Sequence, residues 1–145
     1  MGLSYRKITP ADYDALFTLW KSIAGMGLRS LDDSREGITK FLKRNPETSF
    51  CAVESDEIVG CILCGNDGRR GFIYHACVHP DCRKNGVGKQ LVELALAALK
   101  KEGITKCALV CFSSNELGNG FWRSLGWEQR TDLNYFNMLI EENNI

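Results

Sequence analysis

Val78-His79-Pro80-Asp81-Cys82-Arg83-Lys84-Asn85-Gly86-Val87-Gly88 joins two segments of opposite character. Before it, Gly71–Val78 reads as a strand, and Pro80 ends that strand because proline cannot donate to a ladder. After it, Gly86–Lys101 reads as a helix, with Leu91, Leu94, Ala95, Ala98 and Leu99 on one apolar stripe and Gly103 as its stop. A helix N-terminus carries unpaired N–H groups and about half a positive charge, so this junction is a natural seat for a phosphate. Gly86 and Gly88 lack a Cβ, which lets a ligand approach the backbone and lets the chain take positive φ. Arg83 and Lys84 add mobile positive charge at the mouth. Two glycines are weak evidence alone, since a tight loop entering a helix has the same look. A Rossmann fingerprint needs three glycines soon after the first strand, and a P-loop needs G-x-x-x-x-G-K-[ST]. Neither fits.

Working outward, Ser4–Ile8 predicts a short first strand. Pro10 opens a helix carrying Leu16, Leu19, Trp20 and Ile23, which Gly25-Met26-Gly27 breaks. A second helix begins near Asp32–Ser34, which supply N-cap chemistry, and runs to about Arg44. Ser49–Glu54 and Ile58–Cys64 form a hairpin about Ser55-Asp56-Glu57, and Asn66-Asp67-Gly68 turns the chain into Gly71–Val78. Beyond the long helix, Lys106–Phe112 is a nearly continuous apolar run, as expected of a strand covered on both faces. Leu117–Leu125 predicts a short helix closed by Gly126, and Leu133–Ile140 a last strand. The expected class is α/β (α+β): a mixed, mainly antiparallel sheet of six or seven strands with about four helices.

At 145 residues and 16.2 kDa, without repeats or linkers, the chain is read as one domain, 1–145. Eighteen basic residues balance eighteen acidic ones, so no global field recruits nucleic acid or anionic lipid. No apolar run approaches the roughly 18 residues of a membrane span, and the polar start is not a signal peptide. The cytoplasm is the expected compartment. Seven cysteines are an odd number without metal-finger spacing. Cys61 and Cys64 sit in one strand, where positions i and i+3 face opposite sides and cannot chelate one ion. They read as reduced, small core hydrophobes, Cys82 being the exposed thiol, and no metal is expected.

Arg83-x-x-Gly86-x-Gly88 between a strand and a helix resembles the acyl-CoA motif of the GNAT N-acetyltransferase superfamily. Asn115, then Phe121-Trp122-x-x-x-x-Trp127 with Leu125-Gly126 inside, is similar to the family's N-x-x-A-x-x-[FL]-Y-x-x-[LM]-G-[FWY]. The order of elements matches over nearly the whole chain, closest in layout to small bacterial YpeA-type members. The resemblance implies that acetyl-CoA is the cosubstrate and that the Arg83, Lys84, Asn85, Gly86, Val87, Gly88 and Lys89 stretch binds its pyrophosphate. It implies that Ala76, Cys77 and Val78 pair with the pantetheine arm, in the gap where the strand carrying Val78 splays from Lys106–Phe112. Asn115 would sit beside the pantetheine or cap the last helix; both readings stand.

Acetyl transfer to an amine needs a deprotonated nucleophile, a stabilised oxyanion and an accepted thiolate. By the resemblance a backbone N–H near Val78 meets the oxyanion, and the family's acidic tyrosine falls on Trp122. An indole N–H is no acid at working pH, so Trp122 fills the same space beside the cofactor and bonds weakly to sulfur, or is simply core. A thiolate with a pKa near 8.5 leaves with water as its acid. The positions that carry Glu or His bases in relatives hold Phe72, Tyr74 and Val110. Tyr74 is expected on the face of Ala76 and Val78, as a proton relay, with His75 opposite and His79 in the loop. Trp20, Met26, Arg29, Asp32, Asp33, Tyr135 and Phe136 are the expected acceptor lining. The function implied is transfer from acetyl-CoA to a primary amine on a small molecule or protein, by direct attack in a ternary complex. A non-catalytic acyl-CoA-binding domain is the alternative, and a basic-loop nucleotide-binding module is disfavoured by zero net charge. A homodimer stays open.

Overall fold

The computed structural model describes residues 2–145. Five strands, β1 (Ser4–Lys7), β2 (Phe50–Glu54), β3 (Glu57–Asn66), β4 (Gly71–Val78) and β5 (Cys107–Leu109), lie side by side in chain order. The first four pair antiparallel, and β5 joins β4 in parallel. Four helices flank them: α1 (Tyr13–Ser22), α2 (Arg35–Arg44), α3 (Val87–Lys101) and α4 (Glu116–Ser124). The mixed α/β class is the expected one.

Strand alternation sorts the core into two layers. Phe50, Ala52, Ile62, Cys64 and Ile73 meet the α3 stripe of Val87, Leu91, Ala95 and Leu99 on one face. Cys51, Cys61 and Leu63 meet Leu16, Leu19 and Trp20 of α1 and Ile38 and Leu42 of α2 on the other. Cys61 and Cys64 thus face opposite sides, and all seven cysteines are free thiols. Burial pushes the Cys51 thiol up to about 11, so it stays neutral in the core.

Local chemistry accounts for the joints. Ser55 and Asp56, with φ of 52° and 64°, make the two-residue turn between β2 and β3, a left-handed pair that matches strand twist. Ser34 caps α2, its Oγ accepting from the Gly37 N–H at 3.0 Å. Asp32 and Asp33, expected to share that task, do not. Asp32 accepts from the Asn144 side-chain amide, and Asp33 turns inward.

Three expectations are corrected. Leu133–Ile140 forms no strand; it runs over the surface with Tyr135 69% and Phe136 88% exposed. The C-terminus then returns to the α1–α2 loop, where Ser30 N–H donates to the Ile145 carbonyl at 2.8 Å. Among the described residues the sheet therefore has five strands, where six or seven are expected. The strand expected at Lys106–Phe112 is only Cys107–Leu109, and Val110 and Phe112 are exposed, so it is covered on one face alone.

Candidate active site

Six consecutive backbone N–H groups, Lys84 through Lys89, have no acceptor among the described residues. They arise from the junction between β4 and α3. Lys84 takes φ of 69° and Gly86 φ of 77°, which fold the chain back so that Gly86 is the N-cap of α3. A short turn, Pro80–Cys82, precedes them, and Arg83 Nε donates to the Val78 carbonyl at 3.1 Å, tying the loop to the end of β4. Fifteen helical residues aim their dipole at these amides. A Cβ on Gly86 would meet nothing within 4 Å, so the space outside the loop is open. Charge, donors and room together fit a pyrophosphate. Asn85 and Lys89 are exposed at the rim, while Val87 is buried in the core.

The two glycines differ. Gly86 supplies positive φ, whereas a Cβ on Gly88 would lie 3.0 Å from the Phe121 ring of α4. Gly88 is required by helix packing as well as by access.

Beside the loop the sheet opens. β4 and β5 pair at Gly71–Cys107, Phe72–Ala108 and Ile73–Leu109, and there the pairing stops. β4 runs on to Val78 without that neighbour, and Val110–Phe112 diverges from it. Ala76, Cys77 and Val78 therefore border the gap, with the amide loop at its far end. The Phe112 ring reaches the α1–α2 loop, 3.5 Å from where a Cβ on Gly27 would be.

A β-bulge changes the faces of β4. Leu63 pairs with His75 but the next residue, Cys64, pairs with Ile73, leaving Tyr74 as the extra residue. Alternation predicts Tyr74 with Ala76 and Val78, and His75 opposite. Instead Tyr74 packs against Phe72 and, edge to face at 5.5 Å, against Phe41 of α2, while Val78 packs in the α3 layer. His75 lies against Trp20 of α1, ring centroids 4.9 Å apart. Both side chains face the α1–α2 layer. Burial raises the Tyr74 phenol, with Tyr135 and Asp32 adding to the shift, so it is a neutral hydroxyl at physiological pH.

Trp122 packs between Phe121 and Trp127, each at 5.0 Å, against the α3 core. Asn115 caps α4, its Oδ1 accepting from the Gly118 N–H at 2.9 Å. Of the expected acceptor lining, Trp20 is fully buried and bonds to Cys61 Sγ at 3.2 Å, so it supports the floor rather than lining a pocket. Met26 packs on the α1–α2 core and Arg29 holds the Asn144 carbonyl. The sequence reading misses the pairing of buried Asp33 with buried His75, Oδ1 to Nε2 at 2.7 Å. Its only trace is a histidine in an apolar strand. No group of three or more His, Cys, Asp or Glu among the described residues could hold a metal ion.

A run of unpartnered amides at a helix N-terminus, beside a splayed sheet, is an arrangement that fits an elongated anionic ligand. The family model described as acetyltransferase (GNAT) family matches residues 13–127, and the chain belongs to that family. It is an acetyltransferase. An acetyltransferase of Pectobacterium atrosepticum is 30% identical over 131 residues, covering 90% of this chain and 92% of that one. One from Sodalis glossinidius is 29% identical and covers 82% of each. Among solved structures, the PaiA N-acetyltransferase from Thermoplasma acidophilum in complex with coenzyme A superposes with a TM-score of 0.73 at 21% identity, over 86% of this chain and 89% of that chain. Ard1 from Thermoplasma volcanium gives 0.76 at 16%, over 87% and 82%.

Proposed function

We propose that this acetyltransferase moves the acetyl group of acetyl-CoA to a primary amine by direct attack. The observation that carries the reading is the run of six unpartnered amides from Lys84 to Lys89 at the mouth of the β4–β5 gap. Acetyl-CoA is the cosubstrate and supplies an activated acyl group with a stable thiolate as leaving group. Backbone amides from Lys84 to Lys89 hold the pyrophosphate, the Arg83 N–H being taken by the Pro80 carbonyl, while the Arg83 and Lys84 side chains add screened attraction and Ala76–Val78 align the arm. A backbone N–H near Val78 receives the charge that develops at the carbonyl oxygen, a role no side chain has to fill. Asn115 and Trp122 fix the wall of the gap, and Tyr74 offers the acceptor a hydroxyl beside Phe41 and Phe72. The acceptor is a small amine, a lysine or a protein N-terminus entering from the α1–α2 side. Free thiols throughout suit the cytoplasm, where they stay reduced.

The test is product mass from acetyl-CoA over a panel of primary amines and peptides. Amine-dependent acetylation supports the reading. Thioester hydrolysis without any acetylated amine overturns it.

The same reading includes a homodimer. Leu133, Tyr135, Phe136, Met138 and Ile140 are exposed, and a second copy would cover them. Light scattering should give twice the 16.2 kDa mass, reduced by Phe136→Asp; a monomer at every concentration would remove this part.

A further inference from the structure

Every buried side-chain nitrogen and oxygen among the described residues has a hydrogen-bond partner, yet His75 Nδ1 has none. Nδ1 therefore reaches solvent, although His75 as a residue is only 8% exposed. Its other nitrogen is fully engaged. Nε2 lies 2.7 Å from Asp33 Oδ1, and Asp33 Oδ2 accepts from the Arg29 N–H at 2.6 Å. The Tyr13 hydroxyl donates to the Asp33 carbonyl at 2.7 Å, and Trp20 packs on the imidazole. A carboxylate only accepts, so Nε2 carries the proton and the Nδ1 lone pair is left free for water.

We propose that His75, oriented by Asp33, takes up through water the proton that the acceptor ammonium must lose. The inference rests on the amine reading above and supplies the base that Phe72, Tyr74 and Val110 cannot. His75 precedes Cys77 and Val78 on β4 by two and three residues, about 7–10 Å along the strand, a span for a short water relay. The proton leaves the ammonium nitrogen for water, and water passes one to Nδ1. The freed lone pair forms the new C–N bond, the C–S bond breaks with its electron pair leaving on sulfur, and the second proton of the acylated nitrogen passes to the departing thiolate or to water. The imidazolium, balanced by Asp33, returns its proton to solvent. Asp33 is a positioning residue in this scheme. The ionisable groups packed around His75 are Asp33 from the α1–α2 loop, Cys77 on its own strand and Cys61 opposite in β3. Tyr13 of α1 stands behind the Asp33 carbonyl, and Tyr74 is the neighbour in sequence. One hydrogen bond between the two thiols lowers Cys61 and raises Cys77, so a pH profile alone would not name the titrating group.

Imidazole 15N NMR of the protein without acetyl-CoA names it. With two histidines, His79→Gln assigns the spectrum. The expected result is the Nε2–H tautomer for neutral His75; the Nδ1–H tautomer overturns the proposal. For turnover, His75→Gln keeps an N–H for Asp33 and lacks a base. It should lower kcat by about 10²-fold, flatten the acid limb of the pH profile and keep the acetyl-CoA thermal shift. Unchanged kcat and limb, with an amine still acetylated, overturn the base and leave the amine reading standing. Asp33→Asn is the second variant: its amide N–H facing Nε2 should move the proton to Nδ1 and cost a similar factor. A reversed tautomer with undiminished turnover overturns the proposal.

Discussion

Phe121 of α4 packs where a side chain on Gly88 of α3 would begin, its ring carbons 3.0 Å from the ideal Cβ position. The contact joins the N-terminus of α3 to the helix that carries Trp122. It also separates the two glycines of the junction. Gly88→Val should push Phe121 aside and lower stability by about 1–3 kcal/mol, the range for overpacking. Gly86→Ala meets open space and bears only the strain of positive φ, about 1–2 kcal/mol. Urea unfolding measures both, and the larger loss should fall on Gly88→Val. Equal losses would mean that α4 yields freely.

Arg83 and Lys84 act differently from the amides they flank. Arg83 is half-buried and holds the Val78 carbonyl; Lys84 is exposed. Changing both to Ala should weaken CoA binding moderately, and titration calorimetry at rising salt should show that loss shrinking as screening removes the attraction. Whatever remains at high salt measures the lost Arg83–Val78 tie, which Arg83→Ala alone should reproduce.

Asp12 links β1 to the start of α1. Burial by itself pushes its carboxyl up, but paired hydrogen bonds from Arg6 at 2.8 and 2.9 Å, with one from the Thr9 N–H, hold it below its ordinary value. A carboxyl lowered by folding stabilises the protein above its unfolded value, near 4, and loses that contribution as pH falls through the folded value. Asp12→Asn should therefore cost about 1 kcal/mol at pH 7 and progressively less below pH 4, by urea unfolding at each pH. A difference that persists undiminished in acid would assign the effect to packing.

How much the sequence reveals follows from how local each signal is. The turn at Gly86, the stripe of α3 and the cap at Ser34 need only near neighbours, and each is legible. The sequence leaves Asn115 between a cap and a place beside the pantetheine, and the structure shows it capping α4. The face of Tyr74 is not, because one unpaired residue opposite Leu63–Cys64 shifts the alternation and only the partner strand shows it. Asp33 looks like a capping residue beside Ser34; its bond to a histidine 42 residues on is set by the fold alone. Leu133–Ile140 has the composition of a strand, yet a strand needs an edge to join, and this stretch pairs with none among the described residues.

Trp122 occupies the position where the family resemblance places a phenol. Phe121 and Trp127 hold its ring edge to face, and α3 closes the other side, so its shape is in use. If packing is its whole contribution, Trp122→Phe should keep turnover within a fewfold of the parent, with a loss of stability from the smaller ring of about 1 kcal/mol or more. Trp122→Tyr should raise turnover modestly or shift its pH dependence, by restoring a phenolic donor near the sulfur. General acid help is typically worth about 10²–10⁴-fold, but a thiolate is already a stable anion and needs less of it. The assay is the steady-state rate of amine acetylation across about pH 6–10, beside the CoA-induced thermal shift. A collapse in Trp122→Phe, with fold and CoA shift intact, would give the indole N–H a direct part in the reaction and end the packing account.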